Sequence, residues 1–272
     1  GIPTCFYELA KLTSGFHENQ LIILAARPAM GKTAFALNLA TNVAVNTDKT
    51  VAIFSLEMGA EQLANRIISS LGQIEGSKLS SGNLLNNDWK RITEARSQLA
   101  TAKLYISDDA GVTVGDIKSK CRRLATSEEG LDLVIIDHLQ LLTMGGNYGN
   151  NRQAEITDIS RSLKKMAMEL NIPVIALAQL SRGVESREDK RPKMSDLRES
   201  GSIEQDADIV ALLYRDDYYQ TPKDSNESPD PSLSELIIGK HRNGPTGKID
   251  LLFRKNTSTF LNFIKDNKGE PN

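Results

Sequence analysis

Short apolar runs rich in β-branched residues recur along the chain, separated by longer segments of mixed polarity. Near-continuous apolar runs are typical of strands that are buried on both faces of a parallel sheet. The pattern therefore predicts six such strands, at residues 21–25, 51–55, 104–107, 133–137, 174–179 and 208–214.

Helical periodicity occupies the segments between these strands. It is clearest at residues 155–170, where apolar side chains recur at steps of three or four and form one stripe. Four further helices are predicted, at residues 33–45, 60–71, 87–100 and 113–125. Because strands and helices alternate, we expect an α/β fold with a mostly parallel central sheet that is flanked by helices.

The pattern changes in the last part of the chain. Residues 235–239 and 247–253 are predicted to be strands, and the turn-rich residues 240–245 between them indicate a C-terminal β-hairpin added to the sheet. Polar or glycine-rich composition predicts three loops, at residues 144–152, 181–201 and 220–234. Loops of this length inside a compact domain are commonly functional or disordered.

The amino-acid composition excludes several classes of protein. Lys and Arg number 33 against 35 Asp and Glu, for a net charge of −2, which excludes a basic DNA-coating protein of the histone type. Two cysteines cannot build a disulfide framework, and three widely separated histidines do not predict a histidine-based metal site. Since there is no apolar run of about 18 residues and no signal peptide, we expect a cytoplasmic protein without a membrane partner.

A phosphate-binding loop is predicted between the first strand and the first helix. It ends in Gly-Lys-Thr, and its backbone N–H groups and the following helix N-terminus would surround anionic phosphates. Lys32 would place its ammonium on the β- and γ-phosphates, and the Thr33 hydroxyl would bind Mg²⁺. Its residues are Ala26, Arg27, Pro28, Ala29, Met30, Gly31, Lys32 and Thr33.

This loop departs from the usual pattern at two positions. Ala26 stands where glycine is usual, and Pro28 has no N–H to donate. The alternative interpretation is a strand-to-helix turn that merely contains Gly-Lys-Thr.

Three polar residues end other predicted strands. Asp137 has the Walker B arrangement and would lie beside the metal, unless it only caps the strand. Glu57 would orient water for hydrolysis if its strand neighbours the first strand; otherwise it is a surface carboxylate. Gln179 could hydrogen-bond a γ-phosphate, although a glutamine at a strand end is more often simply solvated.

Together, six segments resemble the RecA-like C-terminal motor of the bacterial replicative DNA helicases of the DnaB type. The resemblance extends over nearly the whole chain, and Ala26 is the residue that this family typically has there. The segments are AARPAMGKT at 25–33, FSLEM at 54–58, IIDHLQL at 135–141, ALAQLSR at 176–182, SDLRESGSIEQDAD at 195–208 and IGKHRNGPTG at 238–247.

The resemblance implies a role for each matching residue. Lys32 and Thr33 would bind ATP and Mg²⁺, and Asp137 would hold the metal. Glu57 would polarise the attacking water, and Gln179 would sense the γ-phosphate.

The resemblance also implies a homohexameric ring. Arg242 would be the arginine finger, with Lys240 beside it, and both would reach into the nucleotide site of a neighbouring subunit. From composition alone, Arg242 is a cation that closes a hairpin turn.

The same resemblance implies a DNA contact. Arg198 and the backbone N–H groups near Glu199 and Gly201 would hold phosphates of single-stranded DNA in a central channel. No aromatic residue occurs in residues 181–201, so backbone contact rather than base stacking is expected there. A charged surface loop is the alternative interpretation.

The implied function is ATP-driven 5′ to 3′ translocation on single-stranded DNA with unwinding at a replication fork. A recombinase ATPase of the RecA or RadA type and a nucleotide-gated replication interaction module remain alternatives. Residues 1–20 would be a linker, 21–267 the motor and 268–272 a tail. Primase and a helicase loader would bind through parts outside this chain.

Three residues differ from what the family usually shows. Cys5 and Ala10 do so in the opening segment, and His138 stands where the family often has an aromatic residue. No catalytic role is put in doubt, and no special role is expected for His138.

Overall fold

A computed structural model describes residues 1–219 and 231–264; the side chains of residues 198–200 lie outside this description. The described residues form one nine-stranded sheet in the order β3-β2-β4-β5-β1-β6-β7-β8-β9. The strands are β1 Leu21–Ala26, β2 Val51–Ser55, β3 Leu104–Ser107, β4 Leu133–Asp137, β5 Val174–Gln179, β6 Ile209–Arg215, β7 Ser232–His241, β8 Gly247–Arg254 and β9 Thr259–Asn262.

The α-helices agree with the predicted periodicity wherever a helix is long enough to show a stripe. Three short helices, α1, α4 and α8, were not predicted, because one or two turns carry too few apolar positions to define a face. The helices are α1 Tyr7–Thr13, α2 Lys32–Asn46, α3 Ala60–Gly72, α4 Gly76–Ser81, α5 Asn86–Thr101, α6 Val114–Ala125, α7 Arg152–Leu170 and α8 Gly201–Asp206.

The sheet confirms the predicted α/β fold. Strands β1 to β6 are parallel, whereas β7, β8 and β9 are antiparallel additions at one edge. The hairpin of β7 and β8 was predicted. Strand β9 was not, because its four residues have a polar residue at each end rather than an apolar run, and they closely follow a 3-10 turn at Lys255–Thr257.

Both faces of the sheet are covered by helices, which is why the parallel strands have continuous apolar sequences. On one face, Ile22 and Leu24 pack in a cluster with α2. On the other, Leu21 and Ile23 pack in a cluster with α6 and α7. The alternation of side chains along β1 thus places two separate cores on either side of one strand.

The first twenty residues pack onto the same domain. Phe6 is buried and stacks on Phe35 of α2, with ring centroids 5.0 Å apart. Phe260 of β9 meets Phe35 edge-on at 5.3 Å, so the opening segment and β9 both contact the helix that follows the predicted phosphate-binding loop. The role of residues 1–20 as a linker stays a prediction, and the predicted tail at 268–272 lies outside the described residues.

The predicted loops differ in outcome. Residues 181–201 contain 3-10 helices at Arg182–Ser186 and Met194–Ser200, and end at the start of α8. Most of the predicted loop 220–234 lies outside the described residues, and the prediction is wrong for residues 232–234, which begin β7. Among the helices that are described, none combines the length and apolar character needed to cross a membrane.

Candidate functional site

The predicted site residues lie at the carboxyl edge of the parallel strands. Ala26 at the end of β1 is paired with Gln179 at the end of β5, and Asp137 at the end of β4 is paired with Ser55 of β2. Because parallel strands end on the same edge, the loops that follow all four strands meet there. This edge is the usual position of ligands in open α/β sheets.

The predicted phosphate-binding loop joins β1 directly to α2. Gly31 has a φ of 91° and directly precedes α2, so the residue before the helix occupies the left-handed region that glycine adopts readily. A Cβ at Gly31 would lie 3.0 Å from the Phe260 ring. Glycine therefore suits the turn, and its lack of a side chain leaves room for Phe260 of β9 to pack closely against the loop.

The two unusual positions of the loop fit the structure. Ala26 is fully buried, and its carbonyl accepts a hydrogen bond of 3.0 Å from the Leu180 N–H, so it is an ordinary strand residue. Pro28 is exposed. The missing N–H thus belongs to an exposed residue.

Thr33 and Asp137 are in direct contact. The Thr33 hydroxyl donates a 2.8 Å hydrogen bond to Asp137 Oδ2. Burial opposes ionisation of Asp137, but His138, the Thr33 hydroxyl and the Lys32 ammonium outweigh it and hold the pKa of this carboxyl below its ordinary value. A hydroxyl and a charged carboxylate are thus held together, and both offer oxygen atoms of the kind that Mg²⁺ prefers.

Lys32 lies in the same electrostatic environment. Burial lowers the pKa of its ammonium below the ordinary lysine value, and the carboxylates of Asp137 and Glu57 oppose that shift. A partly desolvated ammonium beside the loop gains more from an incoming phosphate than an exposed one, because the local dielectric screening is weaker.

Glu57 joins the site by a different route from the one expected. The sequence argument required its strand to neighbour β1, and this is wrong, since β4 and β5 separate β2 from β1. Instead β2 pairs with β4, and the Leu56 N–H donates a 2.8 Å hydrogen bond to the Asp137 carbonyl. Glu57 therefore lies beside Asp137, with a largely exposed side chain.

Gln179 is held by a residue that sequence analysis missed. The Gln179 N–H donates to Gln140 Oε1 at 3.1 Å, and Gln140 Nε2 donates to the Gln179 carbonyl at 3.1 Å. The backbone of Gln179 is thereby fixed while its own side chain remains exposed. Gln140 lies within the family-like segment 135–141, but sequence analysis assigned it no role of its own; it follows β4 in a short 3-10 helix at Leu139–Leu141.

Arg27 connects the phosphate-binding loop to the segment after β5. Its buried guanidinium donates to the Leu180 carbonyl at 2.7 Å and to Glu185 Oε1 at 3.1 Å. The side chain of this predicted phosphate-binding residue is thus engaged by protein groups. Its contribution to a nucleotide would come from the backbone.

Arg215, at the end of β6, is a second cation that the sequence did not reveal. It is buried, pairs with Asp217 at 3.1 Å and lies 4.5 Å from the centroid of the Phe253 ring. Its Nη1 reaches the Ala29 carbonyl at 3.4 Å. Because β6 neighbours β1, this arginine stands directly beside the phosphate-binding loop.

A cavity of about 580 Å³ opens next to the loop. Residues of the loop and of α2 line one wall, and the segment after β8 lines another. Its lining includes Ala29, Gly31, Met58, Arg215, Phe253 and Asn256. A cavity of this size and position can hold the non-phosphate part of a nucleotide.

Arg242 and Lys240 lie at the amino ends of the parallel strands, on the side of the sheet opposite to the loop. Arg242 Nη1 donates to Asp208 Oδ1 at 3.0 Å, and Asp208 Oδ2 accepts a 2.8 Å hydrogen bond from the N–H of Leu21, the first residue of β1. The phosphate-binding loop follows the other end of β1, about 17 Å away at 3.3 Å per residue. Neither cation can therefore reach the nucleotide site of its own chain.

The predicted DNA contact is only partly described. The side chains of Arg198 and Glu199 lie outside the described residues, and Gly201 is exposed at the start of α8. The segment before Arg198 is held in place by side-chain contacts, since Arg187 donates two hydrogen bonds to the Asp196 carboxylate, at 2.6 and 2.8 Å.

Comparison with known proteins places this chain in a family. The model of the DnaB-like helicase C terminal domain matches residues 1–262. The replicative DNA helicase DnaC of Bacillus subtilis (strain 168) is 54% identical over 273 residues, 100% of this chain and 59% of that protein. The replicative DNA helicase DnaB of Geobacillus stearothermophilus is 54% identical over 262 residues, 96% of this chain and 56% of that protein. The chain thus spans less than two thirds of these relatives.

Solved structures agree with the sequence comparison. A DnaB-like replicative helicase, described with its interactions with primase, has a TM-score of 0.90 and 44% identity, over 97% of this chain and 62% of that one. The RadB recombinase has a TM-score of 0.56 and 18% identity, over 97% of this chain and 100% of that one, and shares the fold alone. The chain therefore belongs to the DnaB-like helicase C-terminal domain family.

Proposed function

We propose that this chain is the motor of a replicative DNA helicase, which uses ATP and Mg²⁺ to translocate 5′ to 3′ on single-stranded DNA and to unwind duplex at the fork. The observation that carries the proposal is the convergence of a phosphate-binding loop, the Thr33–Asp137 contact and Glu57 at one sheet edge. Nucleotide binding alone would not require a carboxylate beside the metal-binding pair.

The residues present fit Mg²⁺. Oxygen donors are the ligands this ion prefers, and Thr33 and Asp137 supply a hydroxyl and a carboxylate that already touch. When bound, Mg²⁺ would neutralise charge on the β- and γ-phosphates. Lys32 and the N–H groups at the start of α2 would bind the same phosphates, and Glu57 would orient the attacking water.

The opposite positions of the loop and Arg242 support assembly as a ring. In a head-to-tail ring, one edge of each subunit faces the other edge of its neighbour. The guanidinium of Arg242 would then enter the neighbouring nucleotide site and stabilise charge on the transferring phosphoryl group, with Lys240 beside it. This arrangement supports an assembly whose sites are completed between subunits, for which we propose a homohexamer.

A chain of contacts leads from the nucleotide to the DNA-binding segment. Gln179 ends β5 at the level of the phosphate-binding loop, and Leu180 and Glu185 just after it hold Arg27 of that loop. The Ser181 N–H then donates to the Asp196 carbonyl at 3.3 Å. Loss of the γ-phosphate at Gln179 would shift this segment and move Arg198, Glu199 and Gly201 along the DNA.

Partners beyond DNA are proposed for the longer protein. A solved relative was described with its interactions with primase, and primase and a loader would bind here through parts outside this chain. A cytoplasmic location stays a prediction.

The motor proposal is tested by unwinding and by particle mass. We expect ATP and oligo-dT to convert the protein into a particle of six chains that separates a forked duplex with a 5′ tail. Strand exchange without unwinding would favour the recombinase alternative. A particle that binds ATP without turnover would favour the interaction module.

The DNA contact is tested by Arg198→Ala. We expect the fold-stimulation of ATP turnover by oligo-dT to fall close to one, because a phosphate contact in the coupling segment is lost. Steady-state turnover with and without oligo-dT measures the ratio. Arg123→Ala, an exposed cation on α6, is the matched control. Equal stimulation in wild type and Arg198→Ala would contradict the contact.

A further inference from the structure

His138 occupies a position that the proposed ATPase cycle does not use. It directly follows β4, and only 9% of its side chain is exposed. Within the part of the chain that the structure describes, its buried Nδ1 has no hydrogen-bond partner. Buried polar atoms are nearly always paired, so an unpaired ring nitrogen calls for an explanation.

The nearest polar atoms are two carboxylate oxygens. Glu57 Oε2 lies 3.4 Å from His138 Nδ1, and Asp137 Oδ1 lies 3.7 Å from it. Asp137 Oδ1 is also buried without a hydrogen-bond partner among the described residues, whereas Oδ2 of the same carboxylate accepts the Thr33 hydroxyl. Two buried atoms that lack a hydrogen bond therefore lie 3.7 Å apart, within reach of each other's charge, beside an exposed carboxylate.

These separations match a shared cation better than direct hydrogen bonds. Donors bound to a tetrahedral Zn²⁺ at about 2.0–2.1 Å lie about 3.4 Å from one another. The three atoms all lie within 4.8 Å of one another. The Glu57 side chain is 62% exposed, so it can rotate to close the remaining gap without disturbing the core.

Charge also favours a cation here. Glu57 and Asp137 together carry two negative charges, and the Lys32 ammonium that interacts with both offsets only one of them. Two carboxylates and one imidazole are a mixed oxygen and nitrogen set, which suits Zn²⁺ or Co²⁺, whereas Mg²⁺ prefers oxygen alone.

We propose that Glu57 Oε2, Asp137 Oδ1 and His138 Nδ1 form a binding site for a borderline-soft divalent cation, with Zn²⁺ as its best-fitting occupant. The site differs from the Mg²⁺ position by its use of the other Asp137 oxygen and of an imidazole. It also differs from the sequence expectation, which considered only spacings between histidines. A site built from one histidine and two carboxylates at the ends of two strands produces no regular spacing between histidines.

The site has a consequence that rests on the proposed function. A cation held by Glu57 removes the carboxylate that would orient water. Zn²⁺ would therefore inhibit ATP turnover by this chain even when Mg²⁺ is in excess.

Direct titration tests the site without nucleotide. Zn²⁺ is titrated calorimetrically into the nucleotide-free protein in a Cys5→Ser background, which removes the exposed thiol. We expect one site per chain that excess Mg²⁺ does not displace. In His138→Phe and in Glu57→Gln, which changes an exposed side chain, affinity should fall at least about tenfold, because loss of even an outer partner of a metal ligand costs that much. His17→Gln, at an exposed histidine, should bind as the parent does.

Cobalt gives a second readout. Co²⁺ in the same site should show an absorption spectrum typical of nitrogen and oxygen ligation, and the spectrum should be absent from His138→Phe. Thermal unfolding of each variant shows whether it is folded. Absence of a Zn²⁺ site, displacement of Zn²⁺ by Mg²⁺, or equal Zn²⁺ affinity in the parent and in folded Glu57→Gln would each overturn the proposal. The Zn²⁺ and Co²⁺ titrations require no ATP. Failure of the motor proposal would therefore leave their outcome unaffected.

Discussion

Replacing Arg242 by alanine should lower ATP turnover of the assembled protein by about 10³- to 10⁵-fold, the range that a transition-state arginine supplies in phosphoryl transfer. Its guanidinium lies at the start of β1, while the phosphate-binding loop lies at its end, so the effect must arise in a neighbouring site. Steady-state turnover with oligo-dT measures the loss, at a protein concentration where wild type is assembled.

The position of Arg242 also predicts complementation. A Lys32→Ala subunit has a damaged nucleotide site but an intact Arg242, and an Arg242→Ala subunit has the reverse. In mixed rings, an intact Lys32 site that faces an intact Arg242 should regain activity that neither variant has alone. If mixing restores nothing although both variants assemble, Arg242 does not act between subunits.

A structural role of Arg242 must be separated from this effect. Its removal leaves Asp208 paired, because Lys164 Nζ and the Leu21 N–H both still donate to that carboxylate. We therefore expect only a small change in thermal stability. Arg122→Ala, which breaks an exposed ion pair with Glu169, is a matched control and should leave turnover unchanged.

Much of the fold could be predicted from the sequence, because buried parallel strands and amphipathic helices leave strong periodic patterns. Alternation of the two elements places the carboxyl ends of the parallel strands on one side of the sheet, and Gly31 and Thr33 mark the predicted phosphate-binding loop there. The sequence therefore predicted that Asp137 and Gln179 would share an edge with that loop, as the structure shows.

The order of the strands in the sheet could not be predicted from local sequence patterns. The pairing of β2 with β4, which brings Glu57 beside Asp137, depends on long-range packing and has no local pattern. Gln140, Arg215 and the contact of Arg27 with Glu185 were missed for a similar reason. Each is an ordinary polar residue in sequence and gains its position only from strands that are distant along the chain.

Replacing Glu57 by glutamine should lower ATP turnover by about 10²- to 10⁴-fold, the usual contribution of a general base. Glutamine has nearly the same shape but cannot accept a proton from water at neutral pH. Since the side chain is 62% exposed, the fold and the affinity for ATP should be retained. Pre-steady-state turnover and equilibrium binding of a fluorescent ATP analogue measure the two quantities separately.

Glu61→Gln supplies the matched control, because Glu61 is an exposed carboxylate in the first turn of α3, only four residues further along the chain. It should hydrolyse ATP as wild type does. If Glu57→Gln also turns over ATP at the wild-type rate, the convergence of Glu57 with Asp137 has no hydrolytic role, and a nucleotide-gated binding module becomes the better account of the chain. Reduced ATP affinity with an unchanged rate would instead place Glu57 in nucleotide binding.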